Sequence, residues 1–224
     1  MKRNGLYHPE FEHDACGVGM ICDIKGRASH KTVRDALTIL ANLNHRGAVG
    51  YDPKTGDGAG ILFQLPHEFF QSLLPGLPGR GDYAVGMLFL PQNAETRRVC
   101  EETLAAELTA RGLKVITIRD VPVNPEAVGE SARATLPVFR QIFVSREQVA
   151  PANFERTLYI ARKITEHKIA KSGLADIERF YVPSLSSRTI AYKGLMLSDA
   201  IDSFYPELKD EKVAASRKQS VEKD

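Results

Sequence analysis

The stretch Asp14-Ala15-Cys16-Gly17-Val18-Gly19-Met20-Ile21-Cys22-Asp23-Ile24 decides how the chain is read. A cysteine behind a small residue opens a short apolar run broken by two glycines. If the peptide bond between Ala15 and Cys16 is cut, Cys16 carries a thiol and a free α-amine on one residue. That pair supplies nucleophile and base without a separate histidine. An α-amine titrates at about 7.7–8.0, so it accepts a thiol proton near neutral pH. Glycines at 17 and 19 leave the backbone free for close approach of another group. A cysteine in such a run also fits an inert core thiol, and only the rest of the chain separates the two readings.

Working outward, the whole sequence has 224 residues, 43% apolar and 26% charged, which suits one globular domain with a tail. A formal charge of +2 gives no reason to expect nucleic acid or an anionic membrane as partner. No apolar run approaches the ~20 residues of a membrane span. The N-terminus starts with Lys2 and Arg3 but has no apolar signal core, and Glu10, Glu12 and Asp14 follow. Three cysteines without a Cys-x-x-Cys pair argue against a disulfide framework or a zinc site. They suit a reducing compartment, so the expected location is cytoplasmic, with no metal site.

The pattern along the chain predicts an α+β domain. Met20 to Ile24 is read as a strand, and Lys25-Gly26-Arg27 as a turn. Ser29 is placed to cap a helix whose Val33, Ala36, Leu37, Leu40 and Ala41 share one face. That helix is expected to stop near Asn44-His45-Arg46-Gly47. A glycine-rich loop from Gly50 to Gly60 leads to a strand over 61–65. Further helices are expected over 67–74, from an Asn93 cap to Arg111, from an Asn153 cap to about Lys171, and over 197–204. Further strands are expected over 83–90, 114–119 and 137–144. Segments 179–183 and 189–194 are read as paired strands around the turn Ser184-Leu185-Ser186-Ser187-Arg188. Residues 209–224 are almost wholly polar and read as a frayed tail. Without strict β-α-β alternation, antiparallel sheets in layers fit better than a doubly wound sheet.

Three pieces carry a resemblance: Cys16-Gly17-Val18-Gly19; Asn44-His45-Arg46-Gly47-Ala48 leading to Lys54-Thr55-Gly56-Asp57-Gly58-Ala59-Gly60-Ile61; and the run from Phe180 to Gly194. Together they resemble the class II glutamine amidotransferases, most closely the glutaminase domain of the glutamate synthase large subunit, from about Asp14 to Leu208. The resemblance implies an N-terminal nucleophile fold, an αββα sandwich of two antiparallel sheets. It implies a propeptide (1–15), a partial amidotransferase domain (16–208) and a divergent polar tail (209–224). It implies that the Cys16 thiol attacks the glutamine side-chain amide, that ammonia leaves, and that water hydrolyses a γ-glutamyl thioester. In the family, the ammonia meets 2-oxoglutarate in a synthase domain. That domain uses FMN, an iron–sulfur cluster and a reduced nicotinamide or ferredoxin donor, none of them expected in this chain. The implied partners are L-glutamine, the remainder of the large subunit and a small subunit.

Arg46 matches the family's His-Arg-Gly segment. Its guanidinium either binds the substrate α-carboxylate, to which its fork is suited, orders the loop, or packs at a helix end. His45 is expected to be structural. Gly56, Gly58 and Gly60 are expected to shape a turn. Thr189, Tyr192 and Lys193 match a segment near the catalytic wall, with Tyr192 read first as packing. Cys22 and Cys100 are read as core and helix residues, and Glu101, Glu102 and Glu107 as a solvated helix face.

The family pattern continues with an Arg-Phe-Ser-Thr-Asn type strand and a His-Asn-Gly type loop. These carry the carboxylate-clamping arginine and the oxyanion donors, and neither segment has a counterpart in this sequence. Loss of one oxyanion donor costs about 10²–10³ in rate. The expectation is therefore an incomplete domain, weak or inactive alone, with unpaired sheet edges. The alternatives are a non-catalytic remnant or interaction module of the same fold, and another class II amidotransferase.

Overall fold

The structure is a computed structural model that describes residues 17–44, 52, 54–56 and 58–215. Its first helix, α1 (His30–Asn42), is capped as the sequence predicts, the Ser29 hydroxyl accepting from the Thr32 N–H at 3.3 Å. There follow β1 (Ala59–Gln64), α2 (His67–Leu73), β2 (Tyr83–Leu90), α3 (Ala94–Thr109), β3 (Lys114–Asp120), α4 (Glu130–Ala134) and β4 (Val138–Ser145). The chain continues through α5 (Pro151–Ala170), β5 (Tyr181–Ser186), β6 (Thr189–Gly194), α6 (Ile201–Phe204) and a 3-10 turn, Pro206–Lys209.

Among the described residues the strands form two antiparallel sheets, one four-stranded in the order β3-β4-β2-β5 and one two-stranded, β1-β6. Strand periodicity separates two cores. From β2, Tyr83, Val85 and Met87 point inward with Phe139 and Phe143 of β4. They meet Ile61 and Phe63 of β1 and Ile190 and Tyr192 of β6, so this core lies between the sheets. The other face of β2 and β4, with Ala84, Leu88, Ile142 and Val144, packs on Cys100, Leu104 and Leu108 of α3 and Phe154, Leu158 and Ala161 of α5. The mixed α+β fold with antiparallel pairing is as expected.

Several expectations change. Residues 17–24 carry no strand, and Val18, Met20 and Ile24 are 86%, 76% and 95% exposed. An apolar run becomes a strand only where another strand takes up its backbone groups, and neither sheet extends to this run. The turn after it does form: the Gly26 N–H donates to Asp23 O at 3.0 Å, with Gly26 at φ +72°. Cys22 is consequently exposed and not a core residue, whereas Cys100 lies in α3 as expected and is buried there.

Strands β5 and β6 do not pair with each other; β5 pairs with β2 and β6 with β1. The turn between them is held from outside by Glu155 of α5. Its carboxylate accepts from the Ser186 hydroxyl (3.0 Å) and from the Ser187 N–H and hydroxyl (2.7 and 2.6 Å). Helix α5 starts at Pro151 and not after Asn153, because proline at the first helical position needs no donor. Glu107 is buried, accepting from Arg111 (2.6 Å) and Lys168 (2.5 Å), and Glu101 pairs with Arg140 at 2.7 Å. Of the three carboxylates read as solvated, only Glu102 remains on the surface.

The polar ending also hides core residues. Val213 and Ala215 are buried, the His30 Nδ1–H donates to Val213 O at 2.9 Å, and Ser29 and Ala215 bridge antiparallel. Order thus extends at least seven residues past Leu208, counting from 209 to 215.

Candidate active site

Cys16, His45, Arg46, Gly47 and the propeptide residues 1–15 lie outside the described residues. Their described neighbours come together at the C-terminal end of α1. A Cβ on Gly17 would stand 3.2 Å from Leu43 Cδ2, and one on Gly19 only 2.1 Å from Ile39 Cγ2. Gly19 therefore allows the backbone after Cys16 to lie on the helix. Leu43 caps that helix, and the side chain of the next residue, Asn44, accepts from the Ser198 hydroxyl at 3.3 Å. The segment following Cys16 and the segment leading to His45-Arg46 are thus in contact, although 26 positions separate Gly17 from Leu43 (43 − 17).

The loop into β1 is clamped on two sides. One Asp52 carboxylate oxygen accepts from the Thr55 hydroxyl (3.0 Å) and from the Ser131 hydroxyl (3.1 Å) and N–H (3.3 Å). The other accepts from the Lys54 N–H at 3.1 Å. The Lys54 N–H, with help from Thr55 and Ser131, holds the Asp52 carboxyl below the usual carboxylate range. Gly129 gives the carboxylate its space, since a Cβ there would fall 2.0 Å from Asp52 Oδ2. Gly56 faces Met196 O, which a Cβ would approach to 2.9 Å, and Gly58 takes φ +130°. Gly56 and Gly58 suit the turn, as expected, whereas Gly60 lies within β1, opposite Lys193, and not in the turn.

Tyr192 packs in the core, as first read, and also closes a polar circuit that sequence reasoning missed. Arg119 of β3 donates through both terminal nitrogens to Glu207 (2.6 and 3.0 Å) and to Gln141 Oε1 at 2.5 Å. Gln141 Nε2 donates to the Tyr192 hydroxyl at 3.0 Å, which donates to Glu207 Oε2 at 3.2 Å. The circuit joins both sheets to the turn after α6. Burial, and next the Glu207 charge, push the Tyr192 hydroxyl far up, so it stays protonated. Nothing local in the sequence marks these partners, which stand 15 to 88 positions apart.

Lys193 points outward, its Nζ 4.8 Å above the Tyr181 ring, and Thr189 sits opposite Gln64 at the far end of the β1–β6 ladder. Cys100 is no candidate nucleophile: burial pushes its thiol up to about 11. Among the described residues no three histidine, cysteine or carboxylate side chains group to hold a metal, so none of them fits an iron–sulfur cluster. No described helix is long and apolar enough to cross a membrane.

Comparison with known proteins bears on the same residues. A family model for class II glutamine amidotransferases matches residues 16–218, so the match begins at Cys16. The glutamate synthase [NADPH] large chain of Bacillus subtilis is 42% identical over 214 residues, covering 94% of this chain and 14% of that protein. The corresponding large chain of Azospirillum brasilense is 39% identical, covering 92% of this chain and 14% of its own length. The chloroplastic ferredoxin-dependent glutamate synthase 2 of Arabidopsis thaliana is 37% identical, covering 89% of this chain and 12% of that protein. The chain thus spans about 14% of the length of the first relatives it matches. With a family match over most of its length and two antiparallel sheets in an α+β fold that suits it, the chain belongs to the class II glutamine amidotransferases.

Proposed function

We propose that this chain is the glutamine-hydrolysing part of a glutamate synthase and that Cys16 is its nucleophile. The observation that carries the reading is the family match starting at Cys16, joined to the close seating of Gly17 and Gly19 on the end of α1. Removal of residues 1–15 frees the Cys16 amine. That amine takes the thiol proton as sulfur adds to the side-chain carbonyl carbon of L-glutamine. The tetrahedral adduct collapses with cleavage of the carbon–nitrogen bond, and the leaving nitrogen receives the proton and departs as ammonia. Water then adds to the γ-glutamyl thioester, releasing glutamate and restoring the thiol.

Arg46 binds the α-carboxylate of glutamine, a role that suits a guanidinium fork. The oxyanion donors and a second carboxylate clamp come from segments outside this sequence, so the isolated chain turns over slowly or not at all. The partners are L-glutamine, the rest of a large subunit and a small subunit. Flavin, iron–sulfur and nicotinamide or ferredoxin chemistry belong to those other parts.

The test is a glutaminase assay of the chain alone and after mixing with the B. subtilis large chain lacking the stretch the two share. Hydrolysis is expected only in the mixture. It should vanish with Cys16→Ala, while Arg46→Gln should raise KM for glutamine about 10- to 100-fold, the loss of a charge-assisted pair. Activity that survives Cys16→Ala refutes the assignment.

A further inference from the structure

Arg46 stands two positions after Asn44 (46 − 44) and six before Asp52 (52 − 46). The segment 45–51 lies outside the described residues, but the residues on either side of it are held. At the near end Asn44 accepts from the Ser198 hydroxyl at 3.3 Å. At the far end the Asp52 carboxylate accepts four hydrogen bonds, from the Thr55 and Ser131 hydroxyls and the Lys54 and Ser131 N–H groups, at 3.0 to 3.3 Å. Asp52 O also accepts from the Thr55 N–H at 2.9 Å, which closes a turn.

The post to which Asp52 is tied is itself set into the core. Val128 and Ala132, on either side of Gly129 and Ser131, are buried between the sheets. The Gly129 N–H donates to Lys54 O at 3.3 Å, so the two backbones are joined as well. Position 129 shows how closely the carboxylate fits: a Cβ there would stand 2.0 Å from Asp52 Oδ2 and 2.4 Å from Thr55 Oγ1. Hydrogen bonds to an ionised carboxylate are about twice as strong as neutral ones. Asp52 is therefore a fixed point in the chain. A segment with both ends fixed samples fewer conformations, and a guanidinium placed before its ligand arrives loses less entropy on binding.

We propose that Asp52 is a positioning residue for Arg46. By tying the exit of the 45–51 segment to Gly129 and Ser131, it fixes where the guanidinium stands relative to the α-carboxylate of glutamine. Asp52 acts through Arg46 and not on the substrate. The inference rests on the reading of Arg46 as the carboxylate binder. A carboxylate that only stabilised the fold would leave the affinity for glutamine unchanged in chains that remain folded.

Two measurements test it. Amide exchange on the chain alone compares the unaltered protein with Asp52→Ala and with Gly129→Ala, whose methyl group displaces the carboxylate. Exchange over 45–51 should speed up about tenfold in both variants while β2 and β4 stay unchanged. Unchanged exchange over 45–51, or faster exchange throughout the chain, overturns the proposal. In the glutaminase mixture, Asp52→Ala should raise KM for glutamine about tenfold with kcat within about twofold, and Asp52→Asn, which keeps one acceptor oxygen, should recover part of the loss. Asp52→Ala should add little to Arg46→Gln, since both act on one contact. A KM rise in Arg46→Gln that Asp52→Ala does not share, or full additivity of the two, overturns the proposal. An unchanged KM in Arg46→Gln instead refutes the role given to Arg46, and the positioning role falls with it. Because exchange is read without glutamine or a second protein, it decides the anchoring of 45–51 whatever the mixture does.

Discussion

The two cysteines whose surroundings are described differ in what their thiols can do. Cys22 is exposed and Cys100 is fully buried in the α3–α5 core, its thiol pushed up to about 11 by loss of solvent. In a thiol-labelling time course at pH 8, Cys22 should react promptly and Cys100 at least about 10²-fold more slowly until urea unfolds the chain. Comparable rates would mean that the α3–α5 layer is loose. His67 gives a second test at this scale. Its Nδ1 lies 3.1 Å from the Tyr83 hydroxyl; burial, helped by Arg80, lowers its affinity for a proton, while burial pushes the Tyr83 hydroxyl up to about 12. The unfolded chain therefore protonates His67 before the folded one does. Stability conferred by the neutral ring is present above the unfolded value near 6.5 and falls as pH drops below it. The urea midpoint should decline from pH 7 to pH 5.5, and by less in His67→Gln; an equal decline in both assigns the effect elsewhere.

At the scale of elements, the circuit of Arg119, Gln141, Tyr192 and Glu207 fastens the turn after α6 to both sheets. Glu207→Leu leaves the Arg119 charge without its partner and should cost about 3–5 kcal/mol. Tyr192→Phe removes one neutral donor and should cost about 1–1.5 kcal/mol. The pair Arg119→Met with Glu207→Leu should recover most of the single-mutant loss in urea unfolding; strict additivity would show that the pair is not coupled. The same circuit shows where sequence reading stops. The helices over 30–42 and 94–109 and the strands over 83–90 and 138–145 follow from periodicity and from the caps Ser29 and Asn93. Glu107, Arg119 and Glu207 look like ordinary surface charges, because their burial is decided by partners far away in the chain. The switch of sheet between β5 and β6 escaped for the same reason. A turn between two strands signals a hairpin locally, and Glu155, which holds this turn, lies on another element.

At the scale of the whole molecule, the described residues form two cores, a four-stranded sheet and a two-stranded one, and the two sheets are unequally secured. Amide exchange should be slowest in β2 and β4, which pair on both edges within the four-stranded sheet, and much faster in β1 and β6. Equal protection of the two sheets in the isolated chain would contradict this. Around the candidate site the glycine motifs were legible: the glycines after Cys16 and in the loop before β1 occupy positions where a side chain would collide or the backbone turns to positive φ, while Cys16 and Arg46 themselves lie outside the described residues. The convergence of Gly17 with Leu43 was not legible, since it depends on how α1 lies beneath the N-terminal segment. The proposed function rests on the Cys16 sulfur and on its own amine as the proton acceptor. The most direct test is to prepare the chain with Cys16 as its first residue and mix it with L-glutamine and the shortened B. subtilis large chain. The mixture is then quenched in acid and the intact mass of the chain recorded. One γ-glutamyl group on Cys16 is predicted, absent in Cys16→Ala and absent while residues 1–15 remain attached. The same adduct on Cys16→Ala or on the chain that keeps its first 15 residues, or no adduct on any form, would contradict the account.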